Sequence, residues 1–181
     1  MGSAPQLPPA DAAVLQAPSA WNAFRFREAA SRFTSGVAVI GCEGGEGPIV
    51  TLADQVMVIS MSPPRLLVCL PKSDPAHEVV LRAQRISIGL LAEHDRSEAQ
   101  RLASARSGEL GAPFWRVQAG EPPQYLAALA SFAGEVTQRL DAGSSSVLIA
   151  AVTVQAINEG RPLVRYRGEL NRLSATGEGP H

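Results

Sequence analysis

The chain has 181 residues, of which 45% are hydrophobic and 18% are charged. This composition is typical of a globular protein with one core, and it excludes an intrinsically disordered chain. The formal net charge of −1 creates no broad positive field, so we expect no nucleic-acid partner and no attraction to an anionic membrane surface.

Targeting and metal-binding patterns are not found in the sequence. No apolar run approaches the roughly 20 residues of a membrane span, and the first residues lack the basic start of a signal peptide. We therefore expect a cytoplasmic protein with no membrane partner. The cysteines and histidines are scattered, so we predict free thiols and no metal site. These residues are Cys42, Cys69, His77, His94 and His181.

The ends of the chain differ in composition from its middle. Residues 1–23 are rich in Pro, Ala and Ser, which predicts a flexible N-terminal arm. Residues 174–181 contain two Gly and a Pro, which predicts a flexible tail. No linker or internal repeat interrupts residues 24–173, and we expect them to form a single domain.

The domain is predicted to begin with an amphipathic helix. Phe26, Ala29, Ala30 and Phe33 follow the i, i+3, i+4, i+7 spacing of one helix face. Gly36 then ends the helix, because glycine readily adopts the backbone conformation found after a helix C-terminus.

Short strands dominate the rest of the chain. Runs of apolar and β-branched residues predict strands, and two other segments, 75–84 and 97–105, predict helices. The turns Asp141-Ala-Gly and Asn158-Glu-Gly are typical of hairpins. A mainly β protein with a few helices is therefore expected, and a closed barrel would leave no exposed sheet edge. The predicted strands are residues 37–40, 49–52, 55–60, 66–70, 86–91, 132–140, 147–157 and 163–173.

Five segments, in order along the chain, carry a resemblance to a known family: residues 26–40, 62–70, 86–92, 140–143 and 161–168. They resemble the flavin-reductase-like family of FMN-binding split barrels. The resemblance covers about residues 24–173, and it implies a split β-barrel that forms a homodimer with a flavin in a cleft between the subunits. It also implies NAD(P)H as the reductant and a monooxygenase as a possible partner.

At the positions that contact the flavin in this family, this sequence has different residues. Thr51 lies one residue too far from the double proline, and Asp54 stands where the family has a small neutral residue. Gly89, Ser145 and Leu170 replace an Asn, a His and a Tyr of the family pattern. If Asp54 faced a flavin phosphate at about 4 Å, the repulsion could reach several kcal/mol at a surface-like dielectric.

These departures favour an enzyme that has lost the flavin. We predict a cofactor-independent cyclisation or rearrangement of a small apolar metabolite in the former flavin cleft, because a shaped and dry pocket can select a reactive conformer. Asp54, Gln55 and Tyr166 are the candidate catalytic residues, with Asp54 as general acid or base. The alternative for Asp54 is a solvated position beside an arginine.

Ten further residues are expected to line the substrate or flavin pocket. Lys72 and Ser73 precede a predicted helix and would bind an anion; alternatively, Lys72 is solvated, Asp74 caps the helix, and His77 is exposed on its first turn. The ten residues are Ala53, Val56, Val58, Lys72, Ser73, His77, Gly89, Ser145, Arg165 and Arg167.

Two other functions stay open on the sequence alone. The first is an NAD(P)H:FMN or FAD oxidoreductase, the reductase component of a two-component monooxygenase. The second is a non-catalytic ligand-binding barrel. The orientation of Asp54 separates the reductase from the cofactor-independent enzyme: an Asp54 that faces the cleft disfavours flavin, and a solvated Asp54 favours the reductase.

Overall fold

The computed structural model describes residues 22–104, 110 and 114–173. The predicted tail and nearly all of the predicted arm lie outside these residues, although Asn22 and Ala23 belong to the start of the first helix. The helices are α1 (Ala23–Ala30), α2 (His77–Arg82) and α3 (Arg96–Ser104), and a 3-10 turn spans Glu93–Asp95. The strands are β1 (Ser35–Gly36), β2 (Ala38–Gly44), β3 (Gly47–Ala53), β4 (Gln55–Met61), β5 (Pro64–Pro71), β6 (Arg85–Leu90), β7 (Trp115–Arg116), β8 (Gln124–Tyr125), β9 (Ala130–Ala142), β10 (Ser145–Ile157), β11 (Leu163–Tyr166) and β12 (Glu169–Arg172).

The main sheet curls into a barrel that is split at one seam. Its seven strands lie in the order β3-β2-β6-β9-β10-β5-β4. The two end strands, β3 and β4, are consecutive in the chain and are joined by Asp54 alone. Because one residue spans only a few ångströms, the sheet must bring its two edges together at Asp54. This residue therefore marks the seam of the barrel.

The long hairpin of β9 and β10 forms the back of the barrel. Each strand has 13 residues, and their turn is closed by Asp141, whose Oδ1 accepts a 2.8 Å hydrogen bond from the backbone N–H of Gly143. Gly143 has a φ of 74°, a conformation that glycine adopts without strain. The predicted Asp141-Ala-Gly hairpin is therefore confirmed.

The closing segment 163–173 is two strands rather than one. β11 and β12 form a hairpin, and β11 also pairs with β1, giving a separate three-stranded sheet. The turn falls at Arg167 and Gly168, both of which have positive φ. The predicted hairpin at Asn158-Glu-Gly is wrong, because β10 pairs with β9 and β5 and not with β11. Asn158 instead donates a 2.8 Å hydrogen bond from Nδ2 to the carbonyl of Ala128.

Two apolar clusters form the core. The first fills the barrel, and fully buried Ile40, Val68 and Leu148 are among its members. The second lies between the sheet and α3, with Leu91, Ala99 and Leu163 at its centre. Trp115 and Tyr125 close this second cluster, with ring centroids 5.1 Å apart. Burial of this surface is the main source of the fold's stability.

Helix α1 has no buried residue within the chain. Asn22 caps it, because its Oδ1 accepts a 3.0 Å hydrogen bond from the backbone N–H of Arg25. The predicted helix includes Phe33 and runs to Gly36, but α1 ends at Ala30, so Phe33 lies after the helix. Both Phe26 and Phe33 are exposed. No helix in the described part of the chain has the length and apolar character that crossing a membrane requires.

Candidate functional site

A polar cleft lies beside the seam of the barrel. It consists of two cavities of about 240 Å³ each, and Arg165 lines both of them. Thr51 and Asp74 line the first cavity, while Asp54, Gln55 and Arg167 line the second. The structure thus brings four of the sequence-predicted residues into one place, namely Asp54, Gln55, Arg165 and Arg167.

Asp54 forms an ion pair inside the cleft. Its Oδ2 lies 3.1 Å from Nε of Arg165, and the side chain of Asp54 is 42% exposed. The ion pair forms because Asp54 occupies the seam and β11 runs past it, held by β1. Asp54 therefore lines the cleft and also lies beside an arginine, so the predicted alternatives are both partly realised. A paired carboxylate repels a phosphate far less than a free one.

Arg165 has one side-chain donor, Nε, for which no described residue is an acceptor. Its Nη1 donates a 3.1 Å hydrogen bond to the carbonyl of Gly168. Its buried Nε, although close to Asp54, has no acceptor in hydrogen-bonding geometry among the described residues. A buried N–H donor that has no hydrogen-bond acceptor lowers the stability of the folded state. A ligand oxygen in the cleft would supply that acceptor.

The β11–β12 turn places a second arginine, Arg167, at the wall of the cleft. Arg167 has a φ of 52°, a left-handed conformation that is uncommon for a side chain of this size. Its backbone N–H donates a 3.2 Å hydrogen bond to the carbonyl of Ser31, which fixes the turn against the end of α1. The guanidinium carbon lies 5.6 Å from the ring centroid of Tyr166. Tyr166 itself lines neither cavity of the cleft.

A hydrogen-bonded wall faces Arg165 across the first cavity. Thr51 Oγ1 donates a 2.7 Å hydrogen bond to Oδ2 of Asp74, and Oδ1 of Asp74 accepts a 2.8 Å hydrogen bond from the backbone N–H of Ala76. Asp74 thus holds the turn ahead of α2, but the alternative that it caps the helix is wrong, because Ala76 occupies the N-cap position and no side chain caps it. No local pattern indicates that Asp74 lies in the cleft, because its contact with Thr51 joins positions 23 residues apart.

An apolar groove lies on the other side of β4. It consists of cavities of about 170 and 500 Å³ that share Val58, Leu66 and Phe132. Val56 lines the smaller cavity, so Val56 and Val58 are separated from the polar residues predicted with them. This separation follows from strand alternation, since neighbouring side chains of β4 point to opposite faces.

Lys72 and Ser145 lie at the β9–β10 turn. Neither they nor Ser73 line a cavity of the polar cleft. Lys72 Nζ lies 2.6 Å from Oδ2 of Asp141, and its backbone N–H donates to the carbonyl of Ser144. Ser145 pairs in register with Pro71. The hydrogen bond from Lys72 lowers the pKa of the Asp141 carboxyl, with smaller contributions from the Gly143 N–H and the lysine charge. Lys72 therefore has an acceptor within its own chain.

Three of the predicted pocket residues are packed in the interior, and their assignment to a pocket needs correction. Ala53 belongs to the barrel core. Gly89 leaves no room for a side chain, because a Cβ there would lie 3.0 Å from Val39 Cγ2 and 3.2 Å from Ala128 Cβ. His77 is 4% exposed and its Nε2 lies 2.9 Å from Ser146 Oγ. The alternative of an exposed helix histidine is wrong as well.

A family model that matches most of the chain shows the family to which this protein belongs. The model of the flavin reductase like domain matches residues 30–174. The chain belongs to this family. The predicted resemblance is therefore confirmed, and so is the expectation of an enzyme, because the curated relatives carry enzyme names. A non-catalytic barrel is no longer needed to account for the sequence.

Two curated relatives illustrate the family. The FMN reductase (NADH) RutF 2 of Methylorubrum extorquens (strain PA1) is 30% identical over 159 residues, covering 86% of this chain and 92% of the relative. The reductase component of 4-nitrophenol 4-monooxygenase/4-nitrocatechol 2-monooxygenase of Rhodococcus opacus is 27% identical over 149 residues, covering 82% of this chain and 80% of the relative.

A solved structure confirms the split-barrel fold. BorF, the flavin reductase component of a bacterial two-component tryptophan halogenase, superposes with a TM-score of 0.73 and 25% identity, covering 85% of this chain and 99% of that protein. The prediction of a cofactor-independent cyclisation or rearrangement is wrong, because the relatives are named as flavin reductases that use NADH. The physical error lay in treating Asp54 as an isolated charge, when Arg165 lies 3.1 Å from it.

Proposed function

We propose that this protein is an NADH-dependent flavin reductase that acts on FMN or FAD. The observation that carries the proposal is the family match over residues 30–174, together with relatives that are named as FMN reductases (NADH) over nearly their whole length. The polar cleft is the flavin site in this proposal.

The residues of the cleft fit a flavin nucleotide. Arg165 and Arg167 offer cationic donors for a phosphate, and the buried Nε of Arg165 is an unused donor among the described residues. Asp54, whose charge argued against flavin in the sequence, lies in contact with Arg165. Gln55 lines the cavity that contains Arg167, and its side-chain amide can hydrogen-bond to the ring edge.

The protein's contribution to the reaction is orientation and charge. A bound flavin supplies the redox chemistry, since it accepts a hydride from NADH. Such a transfer needs no side-chain acid or base, and the cleft therefore needs only to hold the two nucleotides in contact and to exclude water. We assign Arg165 and Arg167 to binding and Gln55 to hydrogen bonding in the same cavity.

We further propose that the active form is a homodimer. Strand β4 is an end strand of the sheet, yet it exposes Met57, Val58, Ile59 and Met61, the last of them 83% exposed. An exposed apolar edge of this kind favours association unless another surface covers it. Each cavity of the polar cleft is also smaller than the roughly 300–1,000 Å³ of a typical ligand pocket. A second subunit that covers the apolar edge would add walls to the cleft.

A monooxygenase is the proposed recipient of the reduced flavin. The support is the relative in Rhodococcus opacus, which is named as the reductase component of 4-nitrophenol 4-monooxygenase/4-nitrocatechol 2-monooxygenase. We propose the class of partner alone.

Steady-state oxidation of NADH by the purified full-length protein tests this function. We expect NADH to be consumed only when FMN or FAD is present, with a rate that saturates in flavin concentration. A rate that stays at the no-protein background with FMN, FAD and riboflavin alike would contradict the proposal. Size-exclusion chromatography with light scattering on the same sample tests the dimer separately.

A further inference from the structure

Helix α3 supplies part of the wall of the first cavity. Leu102 and Ala103, in the last turn of the helix, line that cavity together with Thr51 and Arg165. The helix packs on the second apolar cluster through Ala99, which is fully buried. Because two residues of α3 form part of the wall, the position of this helix sets the width of the cavity.

Two carboxylates connect α3 to the separate sheet of β7 and β8. Trp115 and Tyr125 are paired residues of that sheet. The hydroxyl of Tyr125 donates a 2.7 Å hydrogen bond to Oδ1 of Asp95, and Nε1 of Trp115 donates a 3.0 Å hydrogen bond to Oε1 of Glu98. The two acceptors are three residues apart, a spacing that places side chains next to each other on one helix face. We call these four residues the α3 anchor.

The contact between Asp95 and Tyr125 is buried. Each residue is 4% exposed, and Oδ2 of Asp95 accepts a 2.8 Å hydrogen bond from the backbone N–H of Ala92. Burial, followed by the hydrogen bond to Asp95 and its charge, raises the pKa of Tyr125 well above its usual range. The hydroxyl is therefore a donor at neutral pH. Since a buried carboxylate without its donor is costly, this half of the anchor contributes mainly to stability.

The contact between Glu98 and Trp115 has a different character. Glu98 also accepts hydrogen bonds of 2.8 and 2.7 Å from Nε and Nη2 of Arg101. The hydrogen bonding to Arg101 contributes most to lowering the pKa of Glu98; burial opposes it, and the hydrogen bond from Trp115 lowers the pKa further. Because Arg101 belongs to the same helix, Glu98 would keep a donor without Trp115. The indole N–H therefore adds a link between α3 and the β7–β8 sheet.

We propose that Glu98 and Trp115 are positioning residues that hold α3 against the polar cleft and thereby set its affinity for flavin. This inference rests on the proposed reductase function and concerns two residues that line neither cavity of the cleft. The apparent dissociation constant of a ligand is inversely proportional to the fraction of protein in the binding-competent arrangement. The anchor raises that fraction by keeping Leu102 and Ala103 in place. The rate at saturating flavin depends little on it.

Trp115→Phe tests the link, because it removes the indole N–H and keeps an aromatic ring beside Tyr125. We expect the dissociation constant for FMN, measured by flavin fluorescence, to rise about 3- to 10-fold, the effect of losing one hydrogen bond. The kcat at saturating FMN should change less than about twofold. Hydrogen exchange followed by mass spectrometry should become faster in residues 96–104.

Variants of Glu98 make the test specific to this hydrogen bond. Glu98→Ala removes the acceptor, and it should raise the dissociation constant as Trp115→Phe does. Glu98→Gln keeps a side-chain oxygen that can accept from Trp115, so it should bind FMN more tightly than Glu98→Ala. The double variant Trp115→Phe/Glu98→Ala should be no weaker than the weaker single variant, because both changes remove the same contact.

Val136→Ala is the matched control for a general loss of stability. Val136 is 6% exposed in the barrel core and lines neither cavity of the cleft. The control should lower the melting temperature and leave both the affinity for FMN and the exchange of residues 96–104 unchanged. Thermal unfolding of every variant allows comparison at equal loss of stability.

The possible failures are distinguishable. An unchanged dissociation constant in Trp115→Phe, or a rise no larger than that of Val136→Ala at equal loss of melting temperature, overturns the positioning role and leaves the reductase intact. A fall in kcat with unchanged affinity overturns it as well. If the wild type shows no flavin-dependent NADH oxidation, the proposed function fails. Unchanged exchange of residues 96–104 in Trp115→Phe overturns the link to α3 independently of any activity.

Discussion

Thr51 and Asp74 join the edge strand β3 to the loop before α2 through a 2.7 Å hydrogen bond. Thr51 is buried, and both residues line the first cavity of the polar cleft. The same carboxylate accepts a hydrogen bond from the backbone N–H of Ala76. One side chain thus fixes the turn and the cavity wall together, which couples the stability of this corner to the shape of the site.

Thr51→Val tests this coupling. Valine keeps the shape of threonine but removes the donor to Asp74, so the free energy of unfolding should fall by about 1–2 kcal/mol. The Michaelis constant for flavin should rise as the wall loosens. Urea denaturation and steady-state kinetics measure the two effects, and Thr51→Ser, which keeps the hydroxyl, should lose less of each. Equal losses in Thr51→Val and Thr51→Ser would show that the hydrogen bond does not matter.

Asp54→Asn tests the role of the seam carboxylate. Hydride transfer to flavin needs no acid or base from the protein, and the variant should therefore keep its flavin-dependent NADH oxidation. Removing the negative charge from the cleft should also improve FMN affinity by a few-fold relative to riboflavin. The measurement is kcat and KM with both flavins. A drop in kcat of more than about 100-fold, with folding intact, would contradict the reductase account of this residue.

The buried thiol of Cys42 makes stability fall at alkaline pH. Burial, and to a smaller extent the charge of Glu43, raises the pKa of Cys42 to about 11 from an ordinary value of 9.0. Between those values the unfolded chain releases a proton that the folded chain keeps. The free energy of unfolding should therefore decline as pH rises from about 9 to about 11, by at most about 1.4 kcal/mol per pH unit from this group.

Cys42→Ala should make that alkaline decline shallower. Val39→Ala is the matched control, because Val39 is buried in the same strand and carries no ionisable group; it should lower stability at every pH without altering the slope. Urea unfolding below pH 9 and through the interval to about pH 11 provides the comparison. The same slope in wild type and Cys42→Ala would show that the thiol does not carry the effect.

Met61→Lys tests the homodimer. Met61 is an exposed side chain of β4 that lines the apolar groove, and a charge there would be desolvated by a second subunit. We expect the variant to be monomeric in analytical ultracentrifugation, with lower activity. Leu126→Lys alters an exposed apolar residue that lines neither cavity of the groove, and it should leave the sedimentation unchanged. A wild-type protein that sediments as a monomer would contradict the proposed dimer.

The strands were largely predictable because their signals are local. Residues 132–140 and 147–157 lie within β9 and β10, whose alternating pattern and Asp141-Ala-Gly turn are visible in the sequence. The turn at Arg167 and Gly168 was missed, because a single glycine in a strand-like run is also typical of a β-bulge, and an arginine at positive φ gives no turn signal. The segment 163–173 consequently looked like one strand.

The first helix shows a limit of a different kind. The i, i+3, i+4, i+7 spacing predicts one apolar helix face that includes Phe26 and Phe33, but α1 ends at Ala30, and Phe33 lies after it and is 82% exposed. Periodicity indicates that a face is apolar, and it does not say which molecule covers that face. The apolar spacing of this helix therefore cannot show whether another molecule covers it.

The sequence predicted several residues of the candidate site, but it did not predict which of them contact each other. Asp54 and Arg165 were both singled out, but their contact joins β11 to the seam between β3 and β4, and no local pattern encodes such a contact. His77 and Gly89 were placed in the pocket by resemblance, whereas the packing of Ser146, Val39 and Ala128 around them sets their environment. Tertiary contacts of this kind decide whether a polar residue is a ligand or part of the core.

Anaerobic reduction of excess FMN by NADH, with a small amount of the purified protein, tests the central claim most directly. The account predicts that the visible absorbance of the flavin bleaches over many turnovers, at a rate proportional to protein concentration, because reduced flavin leaves the cleft as product. If FMN, and FAD in a parallel assay, are reduced by NADH no faster with the protein than without it, the account is contradicted.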